Sequence, residues 1–246
     1  MTDFRSLHVP GKPLVLVNAW DVASARIVEA AGAAAVATTS AGVAWSLGAP
    51  DGDALDRESA VAAVSRICAA VTVPVTADIE SGYGAVADTV GRVVAAGAAG
   101  INLEDGRCTV EEQRARIAEA RRAGGALFVN ARIDTFLFGT GGLDETVHRA
   151  EVYLRAGADG VFVPGVTDPA TIRELVARIP APVNVMVGPG APPVADLAAL
   201  GVARISFGSS VAQAAYGLVA RVARELAVPA GADYGTLNGL VSRPGT

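Results

Sequence analysis

One phrase recurs along this chain: a helix-forming run, small residues, a glycine, then a short apolar run. It appears as EAAGAAAVATT (29–39), VAAGAAGINLE (94–104), RRAGGALFVNA (121–131), LRAGADGVFVP (154–164) and AALGVARISFG (198–208). A glycine just past a helix end takes the left-handed conformation at low steric cost. The β-rich run after it reads as a strand buried on both faces. VTVPVTADIE (71–80) and RIPAPVNVMVG (178–188) make the same junction with proline, and LVLVNA (14–19) supplies an opening strand. Eight strands result, most separated by amphipathic runs such as DVASARIVEAA, TVEEQRARIAEARR and ATIRELVARI. This alternation predicts a single-domain α/β chain, a (β/α)8 barrel with its core over about 12–210 and a long C-terminal helix and tail over 211–246. A doubly wound open sheet is the competing architecture, but the GxGxxG turn usual after its first strand is absent.

The predicted strands end in polar residues. Asn18 and Asp21 follow the first strand, Thr38, Thr39 and Ser40 the second, Asp78 and Glu80 the third, and Glu104 and Asp105 the fourth. Asn130, Arg132 and Asp134 follow the fifth, Asn184 lies in the seventh, and Ser206 and Ser209 close the eighth. Strand starts are bland by comparison. In a barrel the strand ends meet at one mouth, where such enzymes carry their chemistry.

The residue inventory narrows that chemistry. Lys12, ahead of the first strand, is the only lysine, so an imine-forming mechanism lacks its amine. His8 and His148 are the only histidines, and each reads as a solvated or helix-surface residue, which leaves little for a histidine triad or a zinc site. Cys68 and Cys108 form no CxxC and fit a reducing, cytoplasmic setting. A net charge of −5 gives no footprint for nucleic acid or an anionic membrane. Ala31–Pro50 carries no charge, but its glycines, proline and hydroxyl residues suit a strand and loop better than a membrane span. The N-terminal stretch lacks the apolar core of a secretory signal.

Carboxylates, arginine, hydroxyls and backbone therefore remain. Residues i and i+2 of a strand share a side, so Asp78 and Glu80 are expected to project together, with Glu104 beside them on the next strand. Three converging carboxylates repel one another. A hard divalent cation, Mg²⁺ or alternatively Mn²⁺, relieves that conflict with one or two direct carboxylates and several waters. Helix capping is the competing role for such acids, and Asp105 suits it well.

With those acids in place, the chain resembles the isocitrate lyase/phosphoenolpyruvate mutase superfamily. The matching stretches are VNAWDVASARIVEAAGAAAVATTSAGVAWSLGAPDGD (17–53), ADIESGYG (77–84), GINLEDG (100–106) and VNARIDTF (129–136), in family order. The resemblance implies a (β/α)8 barrel, a Mg²⁺ site and a small anionic 2-oxo or enol acid as substrate, with enolate charge stabilised by the metal. It assigns Asp78, Glu80 and Glu104 to the metal, Ser40, Ala41 and Gly42 to the substrate carboxylate, Asp51 to the metal waters or reacting group, and Arg132 to an anionic oxygen. Tyr83 and Asn184 join this set, Asn184 as a substrate contact and Tyr83 as one of two candidate proton donors, the other being a metal-bound water. Three departures qualify the match. The KKCGH motif of the lyases is missing, since LEDG runs into RCTVEEQ, where Thr109 and Glu112 form a capping box. The connection after the fourth strand is too short for the lid of the mutases, and Cys108 lies too close to the strand end to stand for the lyase cysteine. Glu80 and Ala41 replace the family's usual Asp and Gly.

The resulting expectation is a Mg²⁺-dependent carbon–carbon lyase or decarboxylase of a small 2-oxo or 2-hydroxy dicarboxylic acid. P–C bond mutase or hydrolase chemistry is the alternative, and a non-catalytic metabolite-binding barrel a third reading. The apolar helix 211–226 either covers the last strand or packs between subunits of a homodimer or homotetramer. The tail from Val228 reads as a turn-rich extension.

Overall fold

The computed structural model describes residues 3–188 and 190–242. The strands are β1 (Leu14–Leu16), β2 (Asn18–Ala19), β3 (Val36–Thr38), β4 (Val75–Asp78), β5 (Gly100–Glu104), β6 (Phe128–Arg132), β7 (Gly160–Val163), β8 (Val183–Met186) and β9 (Arg204–Ser206). Among the described residues they form one sheet in the order β1-β9-β8-β7-β6-β5-β4-β3-β2, every pair parallel. The expected opening strand is thus one barrel stave in two segments, interrupted at Val17. Its first segment bonds to β9 and its second to β3, so the ring closes on a stave that changes partner along its length. The barrel architecture holds, with nine hydrogen-bonded segments instead of eight.

Between the strands run α1 (Val22–Ala30), α2 (Ser40–Ser46), α3 (Arg57–Ala70), α4 (Val86–Ala95), α5 (Val110–Gly124), α6 (Thr135–Phe138), α7 (Leu143–Ala156), α8 (Pro169–Arg178) and α9 (Val194–Ala199), followed by α10 (Ser210–Glu225) and α11 (Tyr234–Val241). Local chemistry starts several of them. Asp21 caps α1 in a capping box with Ser24, Thr109 and Glu112 form the capping box of α5, and Asp56 caps α3. The charge-free stretch Ala31–Pro50 is β3, α2 and the turns beside them. Among the described residues no helix is long and apolar enough to cross a membrane.

Strand alternation divides the interior. Ile101, Leu103, Val129, Val161, Val185 and Ile205 pack outward against helix residues such as Val90, Ile117, Ala150, Ile172 and Leu175. Their neighbours face the barrel axis. At the floor Leu14, Leu16, Ala35, Ala37 and Phe128 are sealed by Phe4 of a short 3-10 helix (Phe4–Leu7). Gly100 is required there, because a Cβ would fall 2.7 Å from the Phe4 ring. Above the floor lies a buried polar belt of Asn18, Asn102, Asn130, Asn184, Arg204 and Ser206. Asn18 joins both sides of the closure. Its amide donates to the Thr38 carbonyl at 2.8 Å, and its Oδ1 accepts the N–H groups of Phe207 and Gly208 at 3.0 Å each.

Three expectations change. His8 is buried, not solvated; its ring stacks on Phe128 with centroids 4.1 Å apart, and Nδ1 lies 3.0 Å from the Phe4 carbonyl. The sequence reading missed this because the aromatic partner lies 120 residues away. The tail after Val228 contains a helix, α11, capped by Asp233 and lying against α1; its last residues, 243–246, fall outside the described set. Helix α10 buries only Ala212 and leaves Leu218, Val219 and Tyr216 exposed, so it does not blanket the last strand.

Two outcomes follow. Asn18→Ala strands two backbone N–H groups and lowers unfolding stability in urea by about 2–4 kcal/mol. Burial, reinforced by the charge of Arg204, pushes His8 down from 6.5 to about 4. A base depressed in the folded state is neutral in both states above its ordinary pKa, so its stability contribution is intact there and is lost as pH falls from about 6.5 to 4. The stability difference between wild type and His8→Gln therefore shrinks by roughly 3 kcal/mol across that window, measured by denaturant titration at each pH.

Candidate active site

The mouth is built on the C-terminal ends of β3 to β6. At the end of β4 Asp78 receives the Ser40 hydroxyl on Oδ2 at 3.2 Å, and its own N–H donates to Thr38 Oγ1 at 2.9 Å. Ser40, Ala41 and Gly42 open α2, which Thr39 caps. Gly42 must be glycine because a Cβ would lie 2.8 Å from Trp20 Cβ and from the Thr39 methyl.

Glu80 does not continue the strand. β4 ends at Asp78, and Glu80 is left-handed with φ 50°. Its carboxylate therefore departs from the shared side expected of i and i+2 residues. It accepts the Asp53 N–H on Oε2 and the Tyr83 hydroxyl on Oε1, the latter at 3.2 Å. Asp53 and Tyr83 are themselves left-handed, at φ 57° and 51°. Strained non-glycine backbone of this kind persists where surrounding contacts over-determine it, often at functional sites. The Glu80 carbonyl also accepts the Glu104 N–H at 3.0 Å, which sets the two acids side by side in the wall.

Glu104 ends β5 and meets Arg132, which ends β6, at 2.6 Å. Arg132 Nε binds Asp134 at 2.7 Å, so its guanidinium bridges two acids. Asp105 has a different task from the capping expected of it. Its Oδ1 accepts the Asp134 N–H at 2.9 Å, and its Oδ2 meets Arg149 at 2.8 Å and the Tyr153 hydroxyl at 3.0 Å. The cap of α5 is Thr109. Asp105 thus ties the β5 and β6 ends to α7. Five residues, Asp105 to Thr109, connect β5 to α5, and Cys108 sits in a tight turn there with its N–H on the Asp105 carbonyl. Burial raises the Cys108 thiol above its usual value, which disfavours the thiolate.

Too little cationic charge faces these acids. Burial raises Asp78, with Arg132 opposing and Asp51 adding to the shift. Burial also lifts Glu80 to about 7 despite the Asp53 N–H, and Glu104 to about 8 despite Arg132, with Asp78 pushing both upward. Burial and the neighbouring Glu80 hold the proton on Tyr83. Arg132 stays charged: burial works to lower it, but Glu104, Asp134 and Asp78 hold it above its ordinary value. Asp51 is exposed at the rim. Asn184 is buried in the wall, paired with Ser206 at 3.1 Å.

Among the described residues no three histidine, cysteine or acidic side chains converge as a ready-made cation cage. The donor set nevertheless suits a hard divalent ion. It is all oxygen, buried and over-charged, and water can complete the coordination of such an ion. Among the described residues Glu104 keeps one oxygen without a hydrogen-bond partner, Asp78 Oδ1 accepts only the Glu80 N–H at 3.4 Å, and both oxygens of Glu80 are engaged.

The model of the family described as phosphoenolpyruvate phosphomutase matches residues 4–227. The chain belongs to this phosphoenolpyruvate phosphomutase family. A 2-methylisocitrate lyase from Escherichia coli (strain K12) is 30% identical over 208 residues, 72% of this chain and 70% of the lyase. A crystal structure from Burkholderia cenocepacia J2315, provisionally named a phosphonomutase, is 46% identical and superposes with a TM-score of 0.85 over 90% of this chain and 98% of that one. A phosphonopyruvate hydrolase, solved in complex with oxalate and Mg²⁺, is 26% identical with a TM-score of 0.81, covering 97% and 95% of the two chains. The phosphomutase family thus includes relatives named as lyase, mutase and hydrolase. Asp53, Arg149, Tyr153 and Arg204 are additions that sequence reading missed. An arginine inside an apolar strand, RIS, was the one signal that could have marked Arg204.

Asp105→Ala leaves Arg149 and Tyr153 without their buried partner. It lowers stability by about 3–5 kcal/mol in chemical denaturation.

Proposed function

We propose that this protein is a Mg²⁺-dependent lyase or decarboxylase of a small 2-oxo or 2-hydroxy dicarboxylic acid, with Mn²⁺ able to replace Mg²⁺. The observation that carries this reading is the over-charged set of Asp78, Glu80 and Glu104 beside Arg132 at the barrel mouth. An anionic substrate is repelled by such a set until a cation reverses its sign. The E. coli lyase and the hydrolase that holds oxalate and Mg²⁺ support it as relatives.

In this reading Asp78 and Glu104 would hold the cation, with Glu80 contributing directly or through water. The cation would supply Lewis acidity for the negative charge that develops on the oxo acid as the bond to C3 breaks. Arg132, steadied by Asp134, holds an anionic oxygen of the acid. Ser40 and the first-turn N–H groups of Ala41 and Gly42 border the opposite side of the substrate, and Asn184 lines the wall below. Tyr83, hydrogen-bonded to Glu80, keeps a proton beside the site for return to the product carbon, while Asp51 orders water at the rim.

A second reading, cleavage or rearrangement at a P–C bond, is favoured by the family match and the Burkholderia relative. The five-residue β5–α5 connection weighs against a mutase, since it offers little cover and an intramolecular phosphoryl shift needs water excluded. Hydrolysis suffers no such conflict.

The protein should release pyruvate or a related oxo acid from a 2-oxo and 2-hydroxy acid panel only with Mg²⁺ or Mn²⁺. Asp78→Asn should abolish both that activity and the rise in melting temperature that Mg²⁺ produces, and Arg132→Lys should cut kcat/KM by about 10²-fold or more. Phosphorus NMR after incubation with phosphonopyruvate decides for the second reading if phosphate or phosphoenolpyruvate appears. Binding of Mg²⁺ and oxalate with no turnover on any substrate would leave a metabolite-binding barrel.

We also infer a homodimer or homotetramer in the cytoplasm. The exposed apolar side chains of α10, Tyr216, Leu218 and Val219, support a second copy as their cover, and the free cysteines suit a reducing compartment. Light scattering should give an oligomeric mass that Leu218→Glu with Val219→Glu reduces; a monomeric wild type removes this part.

A further inference from the structure

Arg204 is fully buried on β9 and faces the barrel axis, because its neighbour Ile205 packs outward. It reaches across the barrel, and Nη2 donates to Asn102 Oδ1 on β5 at 3.1 Å. The same oxygen accepts Asn130 Nδ2 at 2.9 Å, which fixes the amide as an acceptor toward Arg204. Nε and Nη1 are buried without any partner among the described residues. Among the described residues no carboxylate pairs with the guanidinium. A buried cation left without an acidic partner is strongly disfavoured unless the site has a use for its charge.

The surroundings indicate that use. Asn102, which Arg204 grips, is the register partner of Asp78 on the adjoining strand. Burial lowers Arg204 to about 9, still charged at neutral pH, and Asp78 is the acid whose charge opposes that shift. On the floor side lies His8, held neutral by burial against Phe128 and by the charge of Arg204. Arg132, the cation at the mouth, is consumed by direct pairs with Glu104 and Asp134. The charge of Arg204 is not consumed, and in a water-poor interior its field extends to the acids above.

We propose that Arg204 is a positioning residue of this site: a fixed positive charge beneath Asp78 that loosens the carboxylates' grip on a divalent cation and strengthens their cation-loaded form's hold on an acidic ligand. This rests on the cation site proposed above and extends it to a residue outside the mouth.

The test is calorimetric titration of Mg²⁺, then of oxalate at saturating Mg²⁺, into the wild type, Arg204→Gln, Arg204→Met and Arg204→Lys. The two neutral variants should bind Mg²⁺ about 3–10-fold more tightly and oxalate about tenfold more weakly, with Arg204→Lys near the wild type. A barrel merely loosened by the substitution weakens both ligands together, so the opposite signs identify the charge. Should the neutral variants fail to fold, Asn102→Asp neutralises Arg204 in place through a direct ion pair, and the same two shifts are expected. Unchanged affinities, or parallel weakening of both ligands, in a folded variant overturn the role of Arg204 alone. A wild type that takes up no Mg²⁺ overturns the proposed function and this inference with it.

Discussion

The whole site depends on how the barrel closes. Asn18 spends its side chain on three backbone groups, one on β3 and two just beyond β9, at the point where the first stave stops pairing with β9 and starts pairing with β3. A sheet closed in this way has a single rim of strand ends, and parallel strands all bring their C-terminal ends to it. Without that closure Ser40, Asp78, Glu104 and Arg132 would lie along an open edge. With it they share one small, partly dry opening, and their charges have to be settled against each other.

The axis of the barrel is graded from apolar to charged. Phe4, Leu14, Leu16 and Phe128 make the floor, a belt of asparagines with Arg204 and Ser206 makes the middle, and acids with Arg132 make the mouth. Barrels of this type usually fill the axis with branched aliphatic side chains. Here the middle belt uses amides, whose paired donors and acceptors can be satisfied without adding net charge, so the few true charges stand out. The acids at the mouth divide between two duties. Asp105 and Asp134 are tied to Arg149, Tyr153 and Arg132 and hold strand ends in place. Asp78, Glu80 and Glu104 crowd one another with Arg132 as the cation at the mouth, and burial and mutual repulsion raise their proton affinity.

Backbone strain marks the same place. Among the described residues four non-glycines adopt positive φ; three of them, Asp53, Glu80 and Tyr83, meet at one carboxylate, and the fourth, Leu226, ends α10. The turn after β4 therefore stores conformational cost where Glu80 is held away from Asp78. A short, well-capped β5–α5 connection borders this opening, and relatives named lyase, mutase and hydrolase on one fold are consistent with chemistry set by loops on a common ring.

Much of this was legible in the linear chain. Glycine and proline junctions, helix caps at Asp21 and Thr109, and the placement of Asp78, Glu104 and Arg132 at strand ends all follow from local rules: backbone freedom, hydrogen bonding over three or four residues, and alternation. Those rules were enough to specify the barrel and the rim where its polar strand ends gather, while the ordered motifs marked the family. They could not say that alternation stops at Asp78 and turns Glu80 toward Asp53, that Asp105 serves Arg149 instead of capping a helix, or that His8 lies under Phe128. Nor could they send Arg204 across the axis to Asn102, 102 residues away. Such pairings depend on strand register and on which long side chains meet in a closed interior, where a charge's partner is chosen by distance through space and by the cost of leaving it without one.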